Sequence, residues 1–505
     1  MPMGRTLRVG LSMAAIAAAC SLALSAAGQI STGDAELQYQ LANLLLEETR
    51  YAEALQAFDR ASQSPDADLA LRARKGKVKT SLRLAEYVLA LQEGTRLAAD
   101  APRDPEALTL HADALWSAGL FDESDRVYDA ALALDPQSSR ARYGRARSLA
   151  TRSRLDEALT EALAAVAAAP RDGEIHHGIG DIYERLHRFD EAANSYTNYI
   201  NLLPNKDRSE KAAWSRAQVQ FLEAFAGRVP VDIDAADNAM LHTVPFRLVR
   251  DKIVVQGKVN GGSAQDFVLD TGSEETVISA ETSRRHGIRP ITYTLSAGVG
   301  EVGLRGLQLA RLDSLEIGTL QVRNLPVLIK NPALRGIPTR EGESFSPLSL
   351  GMSMIIDYQR QLLTIGRDLP DRPTDIRLPM RVHRLAMVRG MLNATRPAYF
   401  VVDTGGEVIS ISEDTANTLE KSVYRRIPLL VYGTSGWDRD AFLLPGQNLD
   451  FDQIAFRNYA LVVLNLRAPS VLLGFQLGGI VGHKFLGSYR VTMDMARSEL
   501  RLEKF

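Results

Sequence analysis

Cysteine is almost missing from this 505-residue chain, which has one, Cys20. A chain matured beyond that point would carry none, which excludes disulfides, thiol chemistry and Cys-ligated metal. No sign of charge dominates: Lys plus Arg number 59 and Asp plus Glu 61. With no dense basic block either, nucleic acid is not expected as a partner. Beyond the N-terminal segment no apolar run is long enough to span a bilayer. His176 and His177 stand on a helical pattern without an HExxH arrangement and read as ordinary helix residues, so no metal or cofactor is expected. At 45% hydrophobic and 24% charged residues, the chain has the composition of a globular protein and the length of two or three domains.

Residues 1–27 read as a signal peptide. Arg5 and Arg8 give a positive start, Leu11–Leu24 is a short apolar run, and Ser25, Ala26 and Ala27 suit cleavage. The protein is therefore expected to be exported, and periplasmic if its host has two membranes. A second reading uses AAAC as a degenerate lipoprotein box, which would leave a membrane-anchored lipoprotein with a lipid on Cys20. The large aliphatic residue usual three positions earlier is absent, so simple secretion is preferred.

From residue 34 to 226 the chain is rich in Ala, Leu, Arg and Glu at helical spacing, and it repeats. Pro102, Pro136, Pro170 and Pro204 fall 34 residues apart. Twelve positions before them stand Ala90, Ser124, Ala158 and Ala192; eight before stand Gly94, Tyr128, Ala162 and Tyr196. This pattern resembles the tetratricopeptide repeat, best in Gly178–Tyr196 with Gly180, Tyr183 and Ala192. The resemblance implies five helical hairpins and a closing helix, stacked into a superhelix that offers a surface to a protein partner or substrate. The plainer alternative is a spacer or dimerisation arm.

After Gly227 alternation replaces helical spacing and turn signals recur, an all-β pattern. Within it FVLDTGSEETVIS (Phe267–Ser279) returns as FVVDTGGEVISIS (Phe400–Ser412), 133 positions later. Gly300 and Gly433 each lie thirty residues beyond their Asp, and Gly303 and Gly436 thirty-three. Arg323–Asn324 and Arg457–Asn458 follow at 53 and 54, then Gly351 and Gly482 at 81 and 79. These matches delimit two copies of one lobe, residues 244–366 and 378–505.

The duplicated turns resemble those of the retropepsin-like and pepsin-like aspartic peptidases. The fold class expected is thus multidomain: an all-α tetratricopeptide superhelix followed by an all-β bilobal aspartic peptidase fold. The resemblance implies that Asp270 and Asp403 share a proton and activate a water against a peptide or protein substrate; the aspartic proteases are themselves the standard example of such a pair. It implies that Thr271 and Thr404 lock the lobes together, that Gly272 and Gly405 bring amides to the carboxylates, and that Gly351 and Gly482 support the turns from behind. Gly300, Gly303, Gly433 and Gly436 would belong to flaps over the cleft.

Two departures bear on this. The residue after each DTG is Ser273 in one lobe and Gly406 in the other; a hydroxyl there can bond the outer carboxylate oxygen, so Asp403 should hold its proton more readily and Asp270 should be the base. Asp494 follows Gly482 by twelve residues, whereas Asp357 follows Gly351 by six, so either that element is short or Gly351 is not the equivalent. The rival reading is a non-catalytic, peptidase-like peptide-binding adaptor. GVGEVG also fits a dinucleotide fingerprint, but no opening helix follows it. Residues 227–505 are expected to fold alone, on a core of their own.

Overall fold

The computed structural model describes residues 30–204, 207–299, 304–330, 342–419, 425–433 and 436–505. The signal segment and Cys20 lie outside these. The chain forms two compact units, the first ending at Leu97 and the second running from Ala98 to Phe505.

Eleven helices occupy Thr32 to Glu223 among the described residues, ten of them paired as hairpins and Glu210–Glu223 closing the series. Each hairpin starts where a short polar side chain caps a helix. The Asp104 carboxylate accepts from the amides of Glu106 and Ala107 ahead of Pro105, and Asp172 and Ser209 cap Gly173–Arg185 and Glu210–Glu223. The repeated small positions are where helices cross: Ala90, Ser124, Ala158 and Ala192 are fully buried. A Cβ on Gly144 would lie 2.3 Å from the Tyr128 ring, and one on Gly180 would lie 2.6 Å from the Tyr196 ring. Gly at one repeat position thus makes room for the aromatic at another.

In the first unit, Ala42, Leu45, Ala54, Phe58, Ala61 and Ala73 form the core. Gly76 admits the Phe58 ring, and Lys77 pairs with Asp59 at 2.6 Å and Glu93 at 3.1 Å.

In the second unit the duplication recurs in the β topology. In the first lobe the strand Gln265–Leu269 lies parallel to Glu343–Phe345, which neighbours Thr276–Ser279. In the second, Arg396–Val402 lies parallel to Gly479–Val481, which neighbours Ile409–Ser412. Asn324 and Asn458 share the left-handed conformation, at φ 51° and 48°. The lobes join through Ser353–Asp357 and Tyr489–Asp494, antiparallel with Met354 opposite Met493 and Ile356 opposite Val491. One buried apolar cluster continues from Phe267 and Leu269 through Met354 and Met493 to Phe400 and Val402.

The helices from Pro105 onward share their core with the lobes. Trp116 and Phe121 are buried with Met387, Tyr399, Val401 and Phe475. Phe189, Phe221 and Phe225 are buried with Leu309, and Leu328 packs against them. Arg381, almost wholly buried, donates to Asp122 and Asp125 at 2.6 Å each and to Thr151 Oγ1 at 3.1 Å. The core of residues 227–505 is therefore not self-contained, and the expectation of an independent fragment is corrected: removing the helices would expose these aromatics and strand a buried guanidinium.

Candidate active site

Each DTG turn follows the apolar end of a strand, with Phe267 and Leu269 buried in one lobe and Phe400–Val402 buried in the other, and each is anchored by the parallel strand beside it. The Asp270 amide donates to Phe345 O at 2.9 Å, and the Asp403 amide to Val481 O at 3.0 Å. These anchors bring the two turns face to face. The Thr271 amide donates to Thr404 Oγ1 at 3.1 Å, and the Thr404 amide to Thr271 Oγ1 at 3.0 Å. Each hydroxyl then donates across the interface, Thr271 to Val402 O at 2.6 Å and Thr404 to Leu269 O at 2.7 Å. Both threonines are buried, so this four-bond square is shielded from water.

The carboxylates meet above it. A Cβ on Gly405 would be within 2.6 Å of Asp270 Oδ1 and 3.2 Å of Asp403 Oδ1, so the two carboxylates lie side by side. The Gly272 amide donates to Asp270 Oδ1 at 3.0 Å; those of Gly405 and Gly406 donate to Asp403 Oδ1 at 2.8 and 2.9 Å. A Cβ on Gly272 would lie 2.5 Å from Asp403 Cγ, and one on Gly405 would lie 2.6 Å from Asp270 Oδ1. Each glycine leaves the space that the opposite carboxylate fills. Burial raises the pKa of Asp403, against the two amides, the Asp270 side chain and the charge of Lys252, all of which lower it.

Ser273 does not reach the outer oxygen of Asp270. Its hydroxyl donates to Glu275 O at 2.8 Å, closing the local turn instead. At Gly406 the backbone amide serves the carboxylate, and a Cβ there would fall 2.8 Å from Asp403 Oδ2.

Gly482 stands behind the second turn: its Cβ would lie 2.6 Å from Gly406 O, and the next amide, of His483, donates to that oxygen at 2.8 Å. Gly351 is not its counterpart. Val481 pairs with Val402 as Phe345 pairs with Leu269, so the residue equivalent to Gly482 is Ser346. Gly351 instead ends the short helix Pro347–Leu350 at φ 67°. Asp357 follows Ser346 by eleven residues, close to the twelve from Gly482 to Asp494; that count was the available signal.

Gly433 and Gly436 face each other where Val431–Gly433 pairs with Gly436–Asp438. A Cβ on Gly433 would lie 2.2 Å from Val299 O, so this hairpin meets the first lobe's loop. Gly300 and Gly303 lie outside the described residues.

Both carboxylates line a cleft of about 1360 Å³ that also takes in Tyr432, Val299 and, from the repeat helices, Asp181, Glu184, Arg185, Trp214 and Gln218. Sequence reasoning missed this helical wall and the charges next to the turns. Arg384 donates to Glu274 Oε2 at 2.9 Å from Nε and 2.5 Å from Nη2, and its guanidinium stacks 4.9 Å from the Trp214 ring. Burial, the Asp181 charge and opposing hydrogen bonds from Tyr196 and Gln218 leave Glu184 raised to about 7. Burial likewise raises Glu275, reinforced by the charges of Glu184 and Glu274. His177, stacked on Tyr196, Tyr199 and Trp214, is a core residue. Among the described residues no group of three His, Cys, Asp or Glu could hold a metal ion, and no helix is long and apolar enough to cross a membrane.

Comparison with known proteins agrees with this division. Residues 255–354 match the family model described as aspartyl protease. Residues 109–173 and 152–206 match that of the tetratricopeptide repeat. A TPR repeat-containing thioredoxin of Arabidopsis thaliana is 32% identical over 83 residues, 16% of this chain and 12% of the relative's length. Among solved structures, a thermophilic TPR protein of Thermus thermophilus is 22% identical with a TM-score of 0.30, covering 34% of this chain and 93% of that one. YrrB, a TPR protein with an unusual peptide-binding site, is 19% identical with a TM-score of 0.22, covering 34% and 86%. The chain carries a tetratricopeptide array followed by an aspartyl protease domain.

Proposed function

We propose that this protein is an exported aspartic endopeptidase in which Asp270 and Asp403 act as one catalytic pair. The observation that carries the reading is the meeting of the two turns: carboxylates side by side above a reciprocal threonine square. Two carboxylates this close share one proton over a range of pH. The ionised member takes a proton from a water between them as that water attacks the scissile carbonyl. The protonated member gives its proton to the carbonyl oxygen, so a tetrahedral diol forms without a covalent enzyme intermediate.

The substrate is an extended segment of protein or peptide, as the volume of about 1360 Å³ and the mixed lining of the cleft favour. The helices Gly173–Arg185 and Glu210–Glu223 contribute to its wall, so the array takes part in choosing substrate as well as in recruiting it or a partner. Export to the periplasm rests on the signal-like residues 1–27; Cys20 offers the lipoprotein alternative. The test is cleavage of a denatured protein mixture by the purified chain, with and without EDTA. Activity that persists in EDTA and vanishes in Asp270→Asn supports the reading. Activity lost in EDTA and restored by zinc contradicts it, and a folded protein that cleaves nothing favours the adaptor.

A further inference from the structure

We infer that Lys252 is a positioning residue for the aspartate pair, acting through the Gly405–Gly406 peptide and fixing the pH range in which the pair works. This rests on the peptidase reading of the same site.

The geometry is a cross-lobe contact with a counterpart. The first lobe opens on a hairpin whose two-residue turn, Arg250 and Asp251, is left-handed at φ 52° and 61°, and Lys252 is the first residue after it, opposite Val249. The second lobe opens on a hairpin that turns at Arg384, φ 60°. Lys252 precedes Asp270 by 18 residues, and Arg384 precedes Asp403 by 19. Each base reaches the other lobe's DTG loop: Arg384 goes to Glu274, four residues beyond Asp270. Glu407, four beyond Asp403, is exposed, and the Lys252 ammonium donates instead to Gly405 O.

That carbonyl belongs to the same peptide unit as the Gly406 amide, which donates to Asp403 Oδ1 at 2.9 Å. A cation on the oxygen polarises the peptide and strengthens its N–H as a donor. Lys252 therefore holds the second turn against the first lobe, and its charge lies close enough to favour the ionised form of Asp403. The other titratable groups in this neighbourhood are Asp270, across from Asp403, His483, whose pKa burial lowers, and Asp251 and Glu407, which act on that histidine together with Lys252. At the pseudo-equivalent place Arg384 goes to Glu274, so among the described residues it is the second turn that has a lysine on its peptide oxygen, and the two aspartates become inequivalent.

The experiment compares Lys252→Met and Lys252→Arg with wild type in the full mature chain. Two readouts are used: the pH profile of kcat/KM on a denatured protein substrate, and carboxyl NMR titration of 13C-aspartate-labelled chain assigned through Asp403→Asn. Removing a cation near carboxylates raises their pKa, so Lys252→Met should move the acid limb, and the Asp403 titration, upward by about one pH unit. Lys252→Arg should restore most of the shift. Unmoved limbs and titration in folded Lys252→Met would overturn the inference, as would higher activity across the whole range, which would mark the ammonium as a block. If wild type cleaves nothing, the peptidase reading fails by itself, and the NMR titration still decides the role of Lys252.

Discussion

Thr271 and Thr404, 133 residues apart, each give a backbone N–H to the other's hydroxyl, at 3.1 and 3.0 Å. The hydroxyls in turn donate to carbonyls of the opposite lobe. Thr404→Val removes the acceptor for the Thr271 amide and the donor to Leu269 O. Leaving buried groups unpaired costs about 1–3 kcal/mol each. The loss of alignment should lower kcat by about a hundredfold. Thr404→Ser keeps both bonds and should stay within about tenfold of wild type; thermal melting and steady-state kinetics check both.

The helical array and the lobes should not be separable at Gly227. Phe121 sits edge-on to Trp116, Tyr399 and Phe475 with ring centroids 4.7–5.0 Å away, so Phe121→Ala should destabilise the second unit by about 3–5 kcal/mol. Arg381→Ala removes the buried guanidinium that ties Asp122, Asp125 and Thr151 to the lobe, leaving Asp125 to Arg152 and Asp122 to Arg389, and should cost about 1–3 kcal/mol. A 227–505 fragment should be aggregated or molten, whereas a 98–505 fragment should melt cooperatively. A native-like circular dichroism melt from 227–505 would contradict the shared core.

Stability should depend on pH through the helical wall of the cleft. Glu184, pushed up to about 7 in the folded chain mainly by burial, ionises near 4.3 when unfolded. It therefore costs nothing below about pH 4 and lowers stability progressively as pH rises to about 7. Glu184→Gln removes that loss, so its melting temperature relative to wild type should rise from pH 5 to pH 8. A difference that stays constant across this range would show that Glu184 titrates normally.

What was legible in the sequence was what repeats locally. The 34-residue period marks helix crossings because each hairpin buries the same small positions, and the DTG turns stand out because apolar strands must lead into them. Long-range geometry was not legible. Nothing near Phe121 or Glu184 says that these helices pack on a β lobe or face its cleft. Matching by glycine chose Gly351, because Ser346, which holds the place of Gly482, is a different residue type. Lys252 and Arg384 were readable in principle, as basic residues at nearly equal distance before each Asp. Their meaning comes from the crossing of the lobes.

Both aspartates should be required in one polypeptide. The pairing of Ser353–Asp357 with Tyr489–Asp494 joins the lobes of a single chain. Asp270→Asn and Asp403→Asn should therefore be equally inactive, and mixing the two should recover nothing. Recovery on mixing would require lobes from different chains to complete a site.

Active-site titration tests the central claim most directly. A tight statine-type inhibitor, whose hydroxyl mimics the tetrahedral diol between the carboxylates, is added stepwise to a known concentration of mature chain cleaving a denatured protein. One dyad per chain predicts that activity falls linearly to zero at one inhibitor per chain. An endpoint at one inhibitor per two chains, or cleavage that the inhibitor never touches, would contradict it.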